Sequence, residues 1–222
     1  MKQEIQSSAL LVFMRAPHPG KVKTRLARSL GDEKAIEFYR LCTDAVLEEI
    51  GQVLGEVEKY ISFAGPTDRC ETERLAGMGF RVEVQEGESL GQRLYNAFSR
   101  VMDNGARKVV IVASDVPDLS AKIMEEAISS LDSSDVVIGP CYDGGYYLIG
   151  MKELRKELFD DISWGTELVC QQTLAAAKTN DLTVSQLPLL IDIDTEADLR
   201  QWLWLDGYKK PAIMDFVKTI RL

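Results

Sequence analysis

The stretch 108–119, KVVIVASDVPDL, constrains the fold more than any other part of the chain. Val109, Val110, Ile111, Val112 and Ala113 form a mostly β-branched apolar run with no polar alternation. Such a run is the pattern of a strand covered on both faces, in the middle of a parallel sheet. It stops at Ser114-Asp115, ahead of Pro117 and a helix start. A carboxylate is therefore left just past the carboxyl end of a central strand, the edge at which open α/β sheets bind ligands. A lone Asp in that position also serves as a turn or cap residue. Its meaning depends on what other segments bring to the same edge.

The rest of the chain alternates strand and helix. Residues 9–14 (ALLVFM) read as a first buried strand, with further strands over 57–63, 80–85 and 135–139 and a last one over 189–193. Helices are expected over 32–54, 68–78, 91–102 and 120–131, the last with Ser120 as N-cap, and from Thr166 as cap to about 178. Turns fall at Gly65-Pro66 and Gly77/Gly79, and Thr195 with Asp198 forms a capping box. Trp202, Trp204, Tyr208 and a closing helix with Ile213, Phe216, Val217 and Ile220 read as packing. The expectation is an α/β fold, a three-layer α/β/α sandwich with a mostly parallel sheet, as one domain over 1–222.

A net charge of −9 argues against a nucleic-acid polymer as partner, since that binding needs clustered cations against phosphate. No apolar run approaches the ~20 residues of a membrane helix, and the N-terminus lacks a signal-peptide pattern, so a cytoplasmic protein is expected. Cys42, Cys70, Cys141 and Cys170 are far apart and His18 is the single histidine. That leaves neither a zinc motif nor a disulfide framework.

Against this acidic background one loop stands out. Arg15, Lys21, Lys23, Arg25 and Arg28 fall within fourteen residues, stiffened by Pro17, Pro19 and Gly20, between the first strand and a helix. Backbone N–H groups and a helix N-terminus favour anions there, so the loop reads as a phosphate site. It is neither a Walker A loop nor a GxGxxG turn. Farther on, GPCYDGGYYLIG carries Asp143 before Gly144-Gly145, a pair that permits a sharp turn or close approach to a ligand. A β-hairpin with Tyr146 and Tyr147 packing across strands accounts for much of this segment. Asp143 is nevertheless placed to bond a substrate hydroxyl. Alternation along 189–193 and beyond puts Asp192 and Asp194 on one face.

These motifs together, P-x-P-G-K-x-K-T-R-L-A, then S-D-x-P-x-L, G-P-x-x-D-G-G-Y-Y-L-I-G and D-I-D-T-x-x-D-L, span Arg15 to Leu199. The chain resembles the nucleotide-diphospho-sugar transferase-like bacterial proteins of the GT-A fold, labelled glycosyltransferases or selenodomain-associated transferases. It is similar, more distantly, to the nucleotidyltransferases that make cytidylyl-methylerythritol, molybdenum guanine dinucleotide and guanylyl-phospholactate. The resemblance implies Asp115 as metal ligand with Asp194, or Asp192, as the second, and Gly91 and Arg93 as nucleotide contacts. It also implies an acceptor side that includes Trp164 and Thr166, with Gly165 departing from the usual pattern there.

The expected chemistry follows from these groups. Mg2+ or Mn2+ would sit on Asp115 and Asp194, Arg15, Lys21, Lys23 and Arg25 would bind and neutralise phosphate, and Asp143, Gly144, Gly145 and Tyr146 would face sugar or acceptor. Asp115, Lys23 and Asp143 are the candidate catalytic residues. The substrate is a nucleotide-activated small molecule with a small acceptor. Glycosyl transfer comes first, nucleotidyl transfer second, and a nucleotide-binding protein without catalysis third.

Overall fold

A computed structural model describes residues 7–65, 67–205 and 209–220. Expectations at Pro66 and Tyr208, and those for the first six residues, lie outside the described residues.

Among the described residues, seven strands form one sheet: β1 (Ser8–Met14), β2 (Val57–Phe63), β3 (Arg81–Val84), β4 (Lys108–Ala113), β5 (Val136–Pro140), β6 (Tyr146–Met151) and β7 (Val184–Gln186). Their order is β3-β2-β1-β4-β6-β5-β7, so β4 is the middle strand, as its apolar run predicts. β1 is parallel to both β2 and β4, and only β6 runs against its neighbours. The reversal comes from the tight turn after β5, where Gly144 adopts φ 86°. A side chain there would meet the Glu167 carbonyl, so the glycine is required by geometry.

Helices cover both faces. On one side α2 (Asp32–Gln52), α3 (Arg69–Gly77) and α5 (Ala121–Ser130) pack Leu47, Leu75 and Met124 on Val12, Val110 and Val137. On the other, α4 (Leu90–Asp103) and α6 (Val169–Thr179) pack Phe98 and Ala177 on Leu11, Ile111 and Ile138. The three-layer sandwich is thus built. A third apolar cluster joins α1 (Thr24–Leu30), the outer side of α2, α7 (Glu196–Trp204) and α8 (Pro211–Lys218), centred on Phe38 and the fully buried Trp202. Among the described residues, no helix is long and apolar enough to cross a membrane.

Three local expectations are corrected, the first being Trp204, which is expected to pack but stands 88% exposed at the end of α7. The last strand is β7, not 189–193, where only Leu190 bridges to Cys141. The alternation in 190–194 is nonetheless real: Ile191 and Ile193 are buried in the third cluster, which turns Asp192 and Asp194 the other way. Thr166 does not cap α6, which begins three residues later. Its hydroxyl donates to the Ser163 carbonyl and accepts the Leu168 N–H, closing a turn ahead of the helix. The Thr195/Asp198 capping box is present at α7.

Candidate active site

A cleft of about 660 Å³ opens at the carboxyl edge of β1 and β4. Chain direction explains its contents. β1 delivers the basic loop, β4 delivers Ser114 and Asp115, and the segment before α7 delivers Asp192 and Asp194. Arg15, Lys21, Lys23, Arg25, Arg93, Asp115 and Asp194 all line the cleft.

At its floor, the Lys23 ammonium stands 2.8 Å from each of three carboxylate oxygens: Asp115 Oδ2, Asp192 Oδ1 and Asp194 Oδ1. The Lys23 side chain is only 2% exposed. Its backbone is left-handed, with φ 44° and ψ 42°, immediately before α1. For a residue with a Cβ that conformation costs on the order of 1–2 kcal/mol. Strain of this kind persists only where its surroundings hold it, here the three-carboxylate tripod.

The electrostatics follow from burial and proximity. Burial alone would lower the Lys23 pKa, but Asp115, Asp192 and Asp194 outweigh it and hold the ammonium well above its ordinary value. Burial and the Asp115 charge push Asp192 upward despite Lys23. Burial also acts against Asp194, yet Lys23 and Arg25 carry it below the usual carboxylate range. Two neighbouring carboxylates are thereby separated in basicity. Five cations face three carboxylates around the cleft, so an anion entering it meets an excess of positive charge.

The ligand oxygens of Asp115, Asp192 and Asp194 lie within 4.8 Å of one another. An all-oxygen set of that kind suits a hard divalent cation, and the place between the oxygens is the one Lys23 takes.

Tyr39, on the buried face of α2, lines the cleft as well. Its hydroxyl accepts the Arg15 N–H at 2.9 Å, faces the Arg15 carbonyl at 3.1 Å and lies 3.1 Å from Ser114 Oγ. It ties the starts of the two site loops together. Gln85 also lines the cleft, its amide donating to the Ser62 carbonyl at 2.8 Å. The one available signal for Tyr39 was a phenol where an aliphatic side chain would pack as well.

Other expected residues lie elsewhere. A Cβ on Gly91 would stand 2.7 Å from Trp164 Nε1, so packing against Trp164 accounts for that glycine. Trp164 is half-buried and makes an edge contact with Tyr146, ring centroids 6.4 Å apart. Asp143 Oδ1 accepts the Gly145 N–H at 2.9 Å, fastening its own turn. The turn is at the same sheet edge as Asp115, because β5 runs in the direction of β4. Thr166 is exposed in the loop before α6. Cys42 and Cys141 are buried thiols whose pKa burial drives upward, which leaves them inert.

Comparison with known proteins bears on this arrangement. A family profile described as "Uncharacterized protein conserved in bacteria (DUF2064)" matches residues 50–166. A search of the curated proteins found no match. Among solved structures, a protein of Desulfovibrio desulfuricans G20, provisionally described as a nucleotide-diphospho-sugar transferase, is 30% identical with a TM-score of 0.86, covering 96% of this chain and 94% of that one. A CMP-2-keto-3-deoxy-manno-octonic acid synthetase complexed with CTP shares the fold at 10% identity and TM-score 0.56, over 88% of this chain and 96% of that one. So does a Mycobacterium tuberculosis protein in complex with manganese, at 16% identity and TM-score 0.53, over 89% and 98%.

Proposed function

The chain belongs to the DUF2064 family of bacterial proteins, and we propose that it is a transferase that binds a nucleotide-activated small molecule in the cleft beside Asp115. The observation that carries this reading is the wall of Arg15, Lys21, Arg25 and Arg93 around an acidic triad at a sheet edge. Phosphate-leaving chemistry asks a protein mainly for positioning and charge stabilisation. The likeness to a 30% identical structure described in the same terms supports it.

In the finer reading the reaction is glycosyl transfer from a nucleotide sugar. An acceptor hydroxyl attacks the anomeric carbon and gives its proton to Asp143, the bond to the diphosphate breaks, and the nucleoside diphosphate leaves. Arg15, Lys21 and Arg25 hold the diphosphate and Arg93 the nucleotide, while the acceptor approaches from the turn at Asp143, Gly144 and Gly145, with Tyr146, Trp164 and Thr166 behind it. Asp115, Asp192 and Asp194 would hold magnesium or manganese, which when bound neutralises charge on the departing phosphate. The manganese bound by one protein of the same fold supports that choice of cation. The whole chain, 1–222, works as one such domain.

A second reading is nucleotidyl transfer, in which an acceptor phosphate attacks the α-phosphorus and pyrophosphate leaves. One observation favours it: Asp143 is engaged by its own turn, and an acceptor that is already anionic needs no base. Product analysis separates the two. With nucleotide sugars, nucleoside triphosphates, Mg2+ and Mn2+ supplied in turn, release of a nucleoside diphosphate supports glycosyl transfer. Release of pyrophosphate supports the second reading, and release of neither with any substrate overturns the transferase assignment.

A further inference from the structure

An alkylammonium has three N–H donors. The Lys23 ammonium donates to Asp192 Oδ1 and Asp194 Oδ1 and forms an ion pair with Asp115 Oδ2, each at 2.8 Å. In this state the buried Lys23 ammonium is committed to the triad and not to a phosphate, although it lines the cleft in which the phosphate would lie. The triad, for its part, holds a single positive charge where three carboxylates converge. The same place suits a divalent cation, so the two occupants exclude each other.

We propose that Lys23 is a built-in substitute for the metal, holding the triad together until nucleotide phosphate draws the ammonium into the cleft and frees the carboxylates for a divalent cation. This rests on the reading of the triad as a metal site. Metal and nucleotide then bind as a coupled pair, with Lys23 as the element that both bias. The loop is suited to such a move. Lys23 is in a left-handed conformation that few residues with a Cβ adopt, and Gly20, three residues earlier, is also at positive φ. Lys21 and Arg25 flank it and line the same cleft. A turn of the loop carries the Lys23 ammonium from the carboxylates to the anion those neighbours attract.

Mn2+ binding read by electron paramagnetic resonance tests this without reference to turnover. In the absence of any phosphate, Lys23→Met is expected to bind Mn2+ tighter than wild type by on the order of tenfold, within the usual range of coupling between two ligands. Equal or weaker binding by the variant overturns the role of Lys23 and leaves the metal site standing. Failure of both proteins to bind Mn2+ overturns the metal site itself, and this inference with it. Should Lys23→Met not fold, the wild type suffices. Its Lys23 15Nζ resonance, protected by the tripod in metal-free protein, is expected to disappear on addition of Mg2+ with inorganic pyrophosphate. Persistence of that resonance at saturating Mg2+ and pyrophosphate overturns the proposal.

Discussion

The Tyr39 hydroxyl meets both ends of Arg15's main chain, accepting its N–H at 2.9 Å and facing its carbonyl at 3.1 Å. With Ser114 Oγ also 3.1 Å away, one side chain on α2 fixes where β1 and β4 release their loops. Tyr39→Phe removes these bonds while keeping the ring's packing. The expected cost is about 0.5–1.5 kcal/mol in urea unfolding, with weaker nucleotide binding from a looser Arg15. Unchanged binding by calorimetry would show that Tyr39 has no part in setting the cleft.

Ile193 places the acidic pair without touching ligand. It is fully buried between Asp192 and Asp194, in the cluster of Trp202 and Phe216. Truncation to Ala is expected to cost about 2–5 kcal/mol. At temperatures where the variant is still folded, Mn2+ binding is expected to weaken as well. Loss of stability with metal affinity intact would separate the cluster from the site.

How far all this was legible in the sequence depends on range. Asp115 and the basic loop were legible because each follows a buried strand directly, and a strand's carboxyl end is a local fact. The capping box at Thr195 was legible because its two partners are three positions apart. Lys23 meeting Asp192 across 169 positions was not, because only the folded sheet and the third apolar cluster bring the two segments together. The strand expected over 189–193 shows the limit from the other side. Its apolar/acidic alternation has strand period, yet it expresses burial of Ile191 and Ile193 against helices, and pairing within the sheet went to Val184–Gln186 instead. Gly91 read as a ligand contact through resemblance. Its absent side chain makes room for Trp164, a long-range contact with no local mark.

Acid stability has a definable contributor at Asp135, next to the start of β5. The Thr183 hydroxyl and backbone N–H donate to its carboxylate, Lys152 lies 3.2 Å away, and together they lower its pKa to about 2. A carboxylate with a folded pKa below its unfolded value of about 3.9 stabilises the fold above that value and loses the contribution as pH falls toward 2. Asp135→Asn is therefore expected to be less stable than wild type at pH 7, with the gap closing between about pH 4 and 2. The urea midpoint across that range measures it, and a gap independent of pH would contradict the assignment.

On the proposed reading, the cleft beside Asp115 binds an activated nucleotide together with a divalent cation. Thermal unfolding against a panel of nucleoside triphosphates and nucleotide sugars, each with and without Mg2+ or Mn2+, tests it most directly. At a hundredfold excess over Kd, a true ligand raises the midpoint of a chain this long by about 5–10 °C. Such a shift is expected for at least one nucleotide, dependent on the metal and lost in Asp115→Asn. No shift with any nucleotide, or a full shift retained in Asp115→Asn, would contradict it.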